Sequence, residues 1–500
     1  MRYSFKKMIY LLAVPALLTT ACKKGFLNVN DDPNSVTEQT ITPELLFPQA
    51  SVATGARAAS GNFEFLNKWL GYWGSSGSYV IDQTETTYNI SFTFGENIWQ
   101  NHYNVLFDLF KTEQKALLKG DSVLAGAAMV LSAKLWQELV DLYGNIPFTQ
   151  AFQNSRTTTP AYDEAEFVYG KLLLKLDTAK TYLSNNPRGT FEDIDLVAHG
   201  HTEDWIRFAN TLKLRLLIRQ SEVPGFDPAP EITKIMDGGA ELNTIKAGQG
   251  MSVNPGYVND VAKQNPFYGY YGYTPTGTEA NELTRANVYF LNLLNSTSDP
   301  RVSRNFRAPA AGGPITGVVY GRATGNPLGG ASSGIGPGLL TGATSNQWIY
   351  PDFESLFLEA EAIARGWVTG NAEAVYRLAV TRSFVFLGVP SAVAEANEYL
   401  DNQDIANWAN SGPTAFSKAR FITYQKYIAL AGVDALEAYS DLRRLDMLPD
   451  DGYLSANPGR AANHLPNRLP YPQSEYTYNS QNVTAQGNIN VFTDKIFWQP

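Results

Sequence analysis

Residues 121–147 read DSVLAGAAMVLSAKLWQELVDLYGNIP. Leu124, Ala128, Leu131, Leu135, Leu139 and Leu142 recur at steps of three or four, the interval that aligns side chains along one stripe of a helix. Asp121 can cap the amino end. At the carboxyl end Gly144 can take a positive φ and Pro147 forbids the helix from resuming, so the stretch predicts a helix that stops hard. A Leu/Ala stripe of this kind is a core element and carries no chemistry.

The ending DLYGNIP resembles a motif of the SusD/RagB family, nutrient-binding outer-membrane lipoproteins of Bacteroidetes, and within it the SusD-like type 2 branch. Further blocks resemble the family in order. They are DDPNS at the start of the mature chain, then Trp205, Phe208, Ala209, Asn210, Leu212, Leu214 and Arg215 in TEDWIRFANTLKLRLLIRQSE (202–222), then Asp299, Pro300 and Arg301. FLEAEAIARGWVTGNAEAVYRLAVTRS (357–383), ITYQKYIALAGVDALEAYSDLRR (422–444) and LPNRLPYPQSEYTYN (465–479) complete the series. Leu442 stands where the family has Trp, a departure that concerns packing. The resemblance covers nearly the whole mature chain and implies a mainly α fold, a tetratricopeptide-like helical scaffold supporting a loop-rich ligand-binding face.

The amino end reads as a leader. Arg2, Lys6 and Lys7 precede the apolar run Met8–Leu18, which is too short for a bilayer that needs about twenty residues. No later stretch is an unbroken apolar run of that length. Residues 1–21 are therefore expected to be a signal peptide. Cys22, the only cysteine, resembles a lipobox cysteine that is acylated, although Thr19 departs from the usual Leu or Val. Each acyl chain contributes on the order of 10 kcal/mol of membrane affinity. Residues 22–34 read as a polar tether, in which Asp31, Asp32 and Asn34 form an oxygen cluster that is more simply solvated than bound to calcium.

The remaining 35–500 is expected to be a single domain. Helical periodicity falls at 42–238 and 352–445, with helices at Thr42–Ser60, Asn97–Leu118, Thr202–Glu222 and from Asp352 onward; Asp163 and Glu166 suggest a capping box before a helix through Leu183. Residues 239–351 are loop-rich apart from a helix near Glu279–Asn295, and 446–500 form a closing loop segment. The paired helices around Gly370 have tetratricopeptide character without a steady repeat.

Five hundred residues with 44% apolar and 17% charged residues are globular. The formal charge of −9 becomes three more negative once Arg2, Lys6 and Lys7 are removed, which argues against nucleic acid. Four histidines and one cysteine leave little for a metal site and nothing for an internal disulfide, and no cofactor motif is present.

Catalytic patterns are also missing: no G-x-S-x-G, H-E-x-x-H or Walker loop occurs. Glu192, Asp193 and Asp195 are carboxylates grouped only by proximity. Glu359 and Glu361 point to different sides of a helix, His199 and His201 read as a surface turn, and Arg443 and Arg444 as an ion-paired helix end. The reading is a binding protein and no enzyme.

Aromatic residues make up 12% of the chain, and many lie beside glycine. Sugars present apolar C–H faces between hydroxyls, so a binder needs rings with polar groups nearby. The candidates are Trp73 and Tyr79 around GSSGS, Phe267, Tyr268, Tyr270, Tyr271 and Tyr273 in NPFYGYYGYTP, and Trp348 after the Gly-rich run; the plainer reading packs these rings against the scaffold. Family resemblance implies a cell-surface lipoprotein that captures an oligosaccharide, or a peptide as RagB-like members do, and hands it to a SusC-like TonB-dependent transporter. A lipid-anchored polysaccharide hydrolase and a non-binding structural partner of the transporter are the rival classes.

Overall fold

The helix built on residues 121–147 sits where the sequence puts it, and more of it is buried than a stripe requires. In the computed structural model, which describes residues 41–59, 63–153, 156–185, 191–447 and 452–500, it runs Ser122–Tyr143. Asp121 accepts the Leu124 N–H at 3.1 Å, and Gly144 closes the helix at φ +74°. Every residue from Val123 to Tyr143 is buried, including Lys134, Glu138 and Asp141. The helix has the length and apolarity of a membrane span, yet neighbouring protein covers it on all sides. Its charges are paired: Lys134 bonds Glu138, and Asp141 accepts from Tyr169 and from Trp498 Nε1 at 3.0 Å.

Among the helices around it are, in chain order, α1 (Pro43–Ala59), α2 (Glu64–Trp69), α3 (Gln83–Thr87), α4 (Glu96–Leu118), the central α5 (Ser122–Tyr143), α6 (Ala165–Leu183), α7 (Thr202–Arg219) and α8 (Ala229–Ile235). Later come α9 (Pro266–Tyr271), α10 (Val288–Ser296), α11 (Asp352–Ala364), α12 (Ala372–Phe386), α13 (Ala392–Asn402), α14 (Ala415–Ala429) and α15 (Ala435–Arg444). Successive helices pack on one another from α4 through α7; α11 then meets α7, and α11 to α14 form a second group of hairpins. The fold is the mainly α, tetratricopeptide-like scaffold. Residues 43–500 pack as one unit.

Where the two helical groups meet, the core is ionic. Arg219 on α7 reaches Glu437 at 2.5 Å and Asp441 at 3.0 Å on α15, and Lys426 on α14 reaches the same two carboxylates at 2.7 and 2.8 Å. Arg215 bonds Glu354 at 3.2 Å. All these groups are buried. Buried ion pairs recover little more than their desolvation cost, but a misaligned helix would leave charges unpaired, so the lattice fixes one arrangement.

Two short antiparallel ladders organise the loop-rich region. β1 (Trp73–Ser75) pairs β3 (Thr284–Ala286) with Trp73 opposite Ala286, and β2 (Met251–Val253) pairs β4 (Gln347–Tyr350) with Val253 opposite Gln347. The second ladder packs on α1, where a Cβ on Gly55 would stand 2.6 Å from Val253; only glycine lets the helix approach so closely. The 70–72 segment is tied to α14 by reciprocal bonds, Tyr72 Oη donating to the Tyr427 carbonyl and Tyr427 Oη to that of Leu70, each at 2.6 Å.

Two local expectations are corrected. Asp163 does not begin a capping box: Glu164 precedes the first turn of α6, and the Asp163 carboxylate instead accepts the N–H groups of Phe148 and Thr149 at 3.1 and 2.7 Å, pinning the turn after α5. The helix placed near 279–295 starts only at Val288, because residues 284–286 are extended as β3 and Asn287 caps α10 by accepting the Tyr289 N–H. The leader, Cys22, the tether and its oxygen cluster lie outside the described residues.

Candidate functional site

The aromatic residues singled out from the sequence divide into an inner and an outer set. Trp73, Phe267, Tyr271 and Trp348 are buried, none more than 8% exposed. They pack ring to ring, Trp73 on Tyr271 at 5.1 Å, Tyr271 on Phe267 at 4.8 Å and Phe267 on Trp348 at 4.9 Å, and Trp348 Nε1 donates to the Val433 carbonyl. Trp73, Phe267 and Tyr271 offer no face to a ligand and serve as a foundation, while Trp348, at the end of the row, also borders a separate cleft.

Outside that foundation stand Tyr270, 46% exposed, and Tyr79, 47% exposed, with Tyr268 and Tyr273 half-buried. Tyr270 rests edge-on against Tyr271 at 4.6 Å. This alternation arises because NPFYGYY is a short helix, α9: Asn265 caps it by accepting the Tyr268 N–H, Pro266 occupies its first turn, and the helical turn carries Phe267 and Tyr271 inward while Tyr270 faces out. Tyr273 lies under the Arg307 guanidinium at 5.6 Å. Tyr79 lies apart, on a loop held by Gly77 N–H donating to Pro327 O at 2.8 Å.

Beside Tyr270 opens a cleft of about 370 Å³. α2 contributes Glu64, Phe65 and Lys68, α3 contributes Glu85, the turn into α4 contributes Thr93 to Ile98, and Leu283 closes the side before β3. Its floor is charged. Lys68 lies 3.1 Å from Glu64 and 3.3 Å from Glu85, and Glu64 also accepts from Thr284 Oγ1 at 2.7 Å. Burial alone would lower the Lys68 ammonium, but Glu85 and Glu64 outweigh it and hold the pKa above its ordinary value; burial raises Glu85. Burial and the Glu64 carboxylate push the Tyr270 phenol up, and the neighbouring Tyr271 Oη donates to Glu64 Oε2 at 3.5 Å. Phe65 and Phe94 supply ring walls, packed at 5.0 Å, while Thr93 and Asn97 hold an exposed hydroxyl and amide at the rim.

Reading for aromatic rings alone missed Glu64, Lys68 and Glu85. A signal was available: a carboxylate and an ammonium four residues apart in FEFLNKWLGYW, set among Phe63, Phe65, Leu66, Trp69 and Leu70, mark a buried pair.

Of the carboxylates considered for catalysis, Glu192 and Asp193 are exposed on a short helical turn and the other three have structural partners. Asp195 is buried and accepts the N–H groups of Val197, Ala198 and Gly200 together with Trp205 Nε1. Glu361 is bound to Arg444 and Arg365, while Glu359 turns to Lys246 at 3.3 Å. His199 and His201 are exposed on a turn, the first at φ +52°. Among the described residues no group of His, Cys, Asp and Glu could hold a metal ion.

The family of SusD-like type 2 proteins, described as starch-binding and associating with the outer membrane, matches residues 33–472. The chain belongs to the SusD/RagB family. Solved structures agree with that placement in fold. A SusD/RagB family protein from Bacteroides thetaiotaomicron superposes with a TM-score of 0.73 at 21% identity, covering 92% of this chain and 99% of its own. A SusD homologue from Bacteroides fragilis gives 0.74 at 19% identity, covering 92% and 99%. A chitin-binding SusD homologue from Flavobacterium johnsoniae gives 0.72 at 23% identity, covering 90% and 98%. No curated protein matches the sequence. Within this SusD-family chain the D-P-R block is structural: Arg301 forks onto Asp299 and lies 4.6 Å over the Phe384 ring.

Proposed function

We propose that this SusD-family protein binds an oligosaccharide in the cleft beside Tyr270. The observation that carries the reading is the composition of that cleft: ring walls from Phe65 and Phe94 and fixed polar groups from Glu64, Lys68, Glu85 and Asn97, with the exposed Tyr270 packed on Tyr271, whose hydroxyl donates to Glu64. Sugar recognition requires stacking faces and hydrogen-bonding groups together. The chitin-binding relative and the starch-binding description of the family support a glycan as the ligand class. No step of bond breaking is assigned to any residue.

In this reading residues 1–21 are cleaved, Cys22 is acylated, and the domain that follows is held at the outer membrane, exposed at the cell surface, where it passes its ligand to a SusC-like TonB-dependent transporter. Of the aromatic candidates, Tyr270, Tyr268, Tyr273 and, standing apart from them, Tyr79 keep ring surface open to solvent and are assigned to ligand contact, while the buried Trp73, Phe267 and Tyr271 form the foundation under Tyr270.

A glycan array probed with the purified protein tests the proposal. Binding of an oligosaccharide class that weakens on Tyr270→Ala and on Asn97→Ala is the expected result. Binding to peptides alone, or to no glycan, overturns it. Cys22→Ser is expected to release the protein from the membrane fraction.

A further inference from the structure

A second cleft, of about 250 Å³, opens where β2 and β4 meet the start of α11 and the end of α12. It shares no lining residue with the cleft beside Tyr270. One side is aromatic: Trp348 and Phe386 stand perpendicular, 5.9 Å apart, and Phe386 is half-buried. Another side is cationic. Arg382 on α12 donates from Nε to Asp352 Oδ2 at 2.6 Å, and the same oxygen accepts the Gly248 N–H at 2.6 Å.

The charges at this pair do not cancel at the cleft. Asp352 is buried in the first turn of α11, where unpaired N–H groups and the helix dipole offset a carboxylate. Arg382 keeps 26% of its side chain exposed, and among the described residues its two terminal nitrogens have no protein acceptor. They end beside Gly248, where a Cβ would come within 4.0 Å of Nη2. The result is a guanidinium whose back is fixed by a buried acid and whose fork is open. Such a fork matches a carboxylate with two parallel hydrogen bonds.

We propose that this cleft binds a sugar carboxylate, a hexuronate residue, independently of the cleft beside Tyr270. The carboxylate meets the Arg382 fork and the apolar ring face meets Trp348 and Phe386. Ser252, Thr341 and Asn346 line the same cleft and supply hydroxyl and amide partners that an alkyl carboxylate would leave unused. Sites for drug-sized ligands begin near ~300 Å³, so the volume suits one sugar ring.

The test is calorimetric titration of the full chain in detergent with methyl glucuronoside, its methyl ester, methyl glucoside and hexanoate. The glucuronoside is expected to bind at least about tenfold more tightly than the other three, the scale of a hydrogen-bonded charge. Arg382→Gln is expected to abolish that preference, Arg382→Lys to retain part of it, and Tyr270→Ala to leave it intact. Equal affinities for the four, binding of none, or a preference that survives Arg382→Gln overturns the assignment, and so does its loss in Tyr270→Ala, which would move the site to the other cleft. Hexanoate binding as tightly as the glucuronoside overturns the sugar specificity. If Arg382→Gln fails to fold, the comparison of glucuronoside with its ester on the unaltered protein and on Arg382→Lys decides.

Discussion

Arg444 holds Glu361 through two hydrogen bonds, Nη1 to Oε1 at 2.7 Å and Nη2 to Oε2 at 2.9 Å, with both side chains buried. The pair joins the last turn of α15 to α11 and belongs to the ionic seam between the helical groups. Removing Arg444 leaves Glu361 in a dry interior with Arg365 as its remaining cation. Arg444→Ala is expected to cost about 3–5 kcal/mol of unfolding free energy in urea, and Arg444→Met combined with Glu361→Leu to recover most of it. A double variant as unstable as the single one would show that the pair contributes more than its own desolvation.

Glu354, in the same seam, reports on pH. Burial pushes its carboxyl up to about 7, with Arg215 opposing and Glu437 adding to the rise. The folded protein therefore keeps a proton that the unfolded chain sheds near 4.5, so this contribution to stability is full below 4.5 and is lost as pH rises through about 7. Glu354→Gln keeps an acceptor for Arg215 and removes the titration. Between pH 5 and pH 8 it is expected to lose less stability than the unaltered protein, by on the order of 3 kcal/mol. Parallel stability curves for the two proteins would refute the assignment.

Tyr270 and Tyr271 are sequence neighbours with opposite duties. Tyr270→Ala is expected to weaken glycan binding by about 1–3 kcal/mol and leave the melting temperature unchanged, since the ring lies at the surface. Tyr271→Ala is expected to destabilise the fold by about 3–5 kcal/mol, because it empties the contact between Trp73 and Phe267. Calorimetry paired with thermal melts separates the two, and equal effects in both assays would contradict the inner and outer division.

Gly432 tests how closely the foundation packs. It sits at φ +73°, its N–H donates to Asn67 Oδ1 at 3.0 Å, and a Cβ there would stand 2.7 Å from Leu339 and 3.0 Å from Trp73. Gly432→Ala is expected to cost about 1–3 kcal/mol in unfolding free energy, from left-handed strain and from displacing Trp73. A neutral result in chemical denaturation would mean that Trp73 can yield.

The helices of the scaffold were legible because their signals are local. The three-and-four spacing, Asp121 and Gly144 describe α5 without reference to any other segment. Its burial on the polar side was not legible, since Asp141 looks like a surface residue until its partners arrive from elsewhere in the chain, as Tyr169 and Trp498 do. The same limit governed the site. Tyr270 was visible as an aromatic beside glycine, yet its separation from Tyr271 depends on α9, whose Asn265-Pro266 start opens a helix too short for periodicity to distinguish it from loop. The Glu64–Lys68–Glu85 floor needs α2 and α3 side by side, and no spacing rule reports that. Asp163 shows the converse, a local capping pattern that was misleading because the turn after α5 takes its oxygens.

The seam that joins Asp141 and Arg219 to Glu437, Asp441 and Trp498 makes the molecule indivisible. A fragment ending before residue 435 would keep Arg219 beside Asp141 but leave Arg215 and Lys426 without the α15 carboxylates and Asp141 without its indole donor, so the first helical group cannot persist as a free-standing module. Protease nicking, permutation or stepwise release from a translocation pore should accordingly give all-or-nothing acquisition of structure, with no folded half to be trapped along the way.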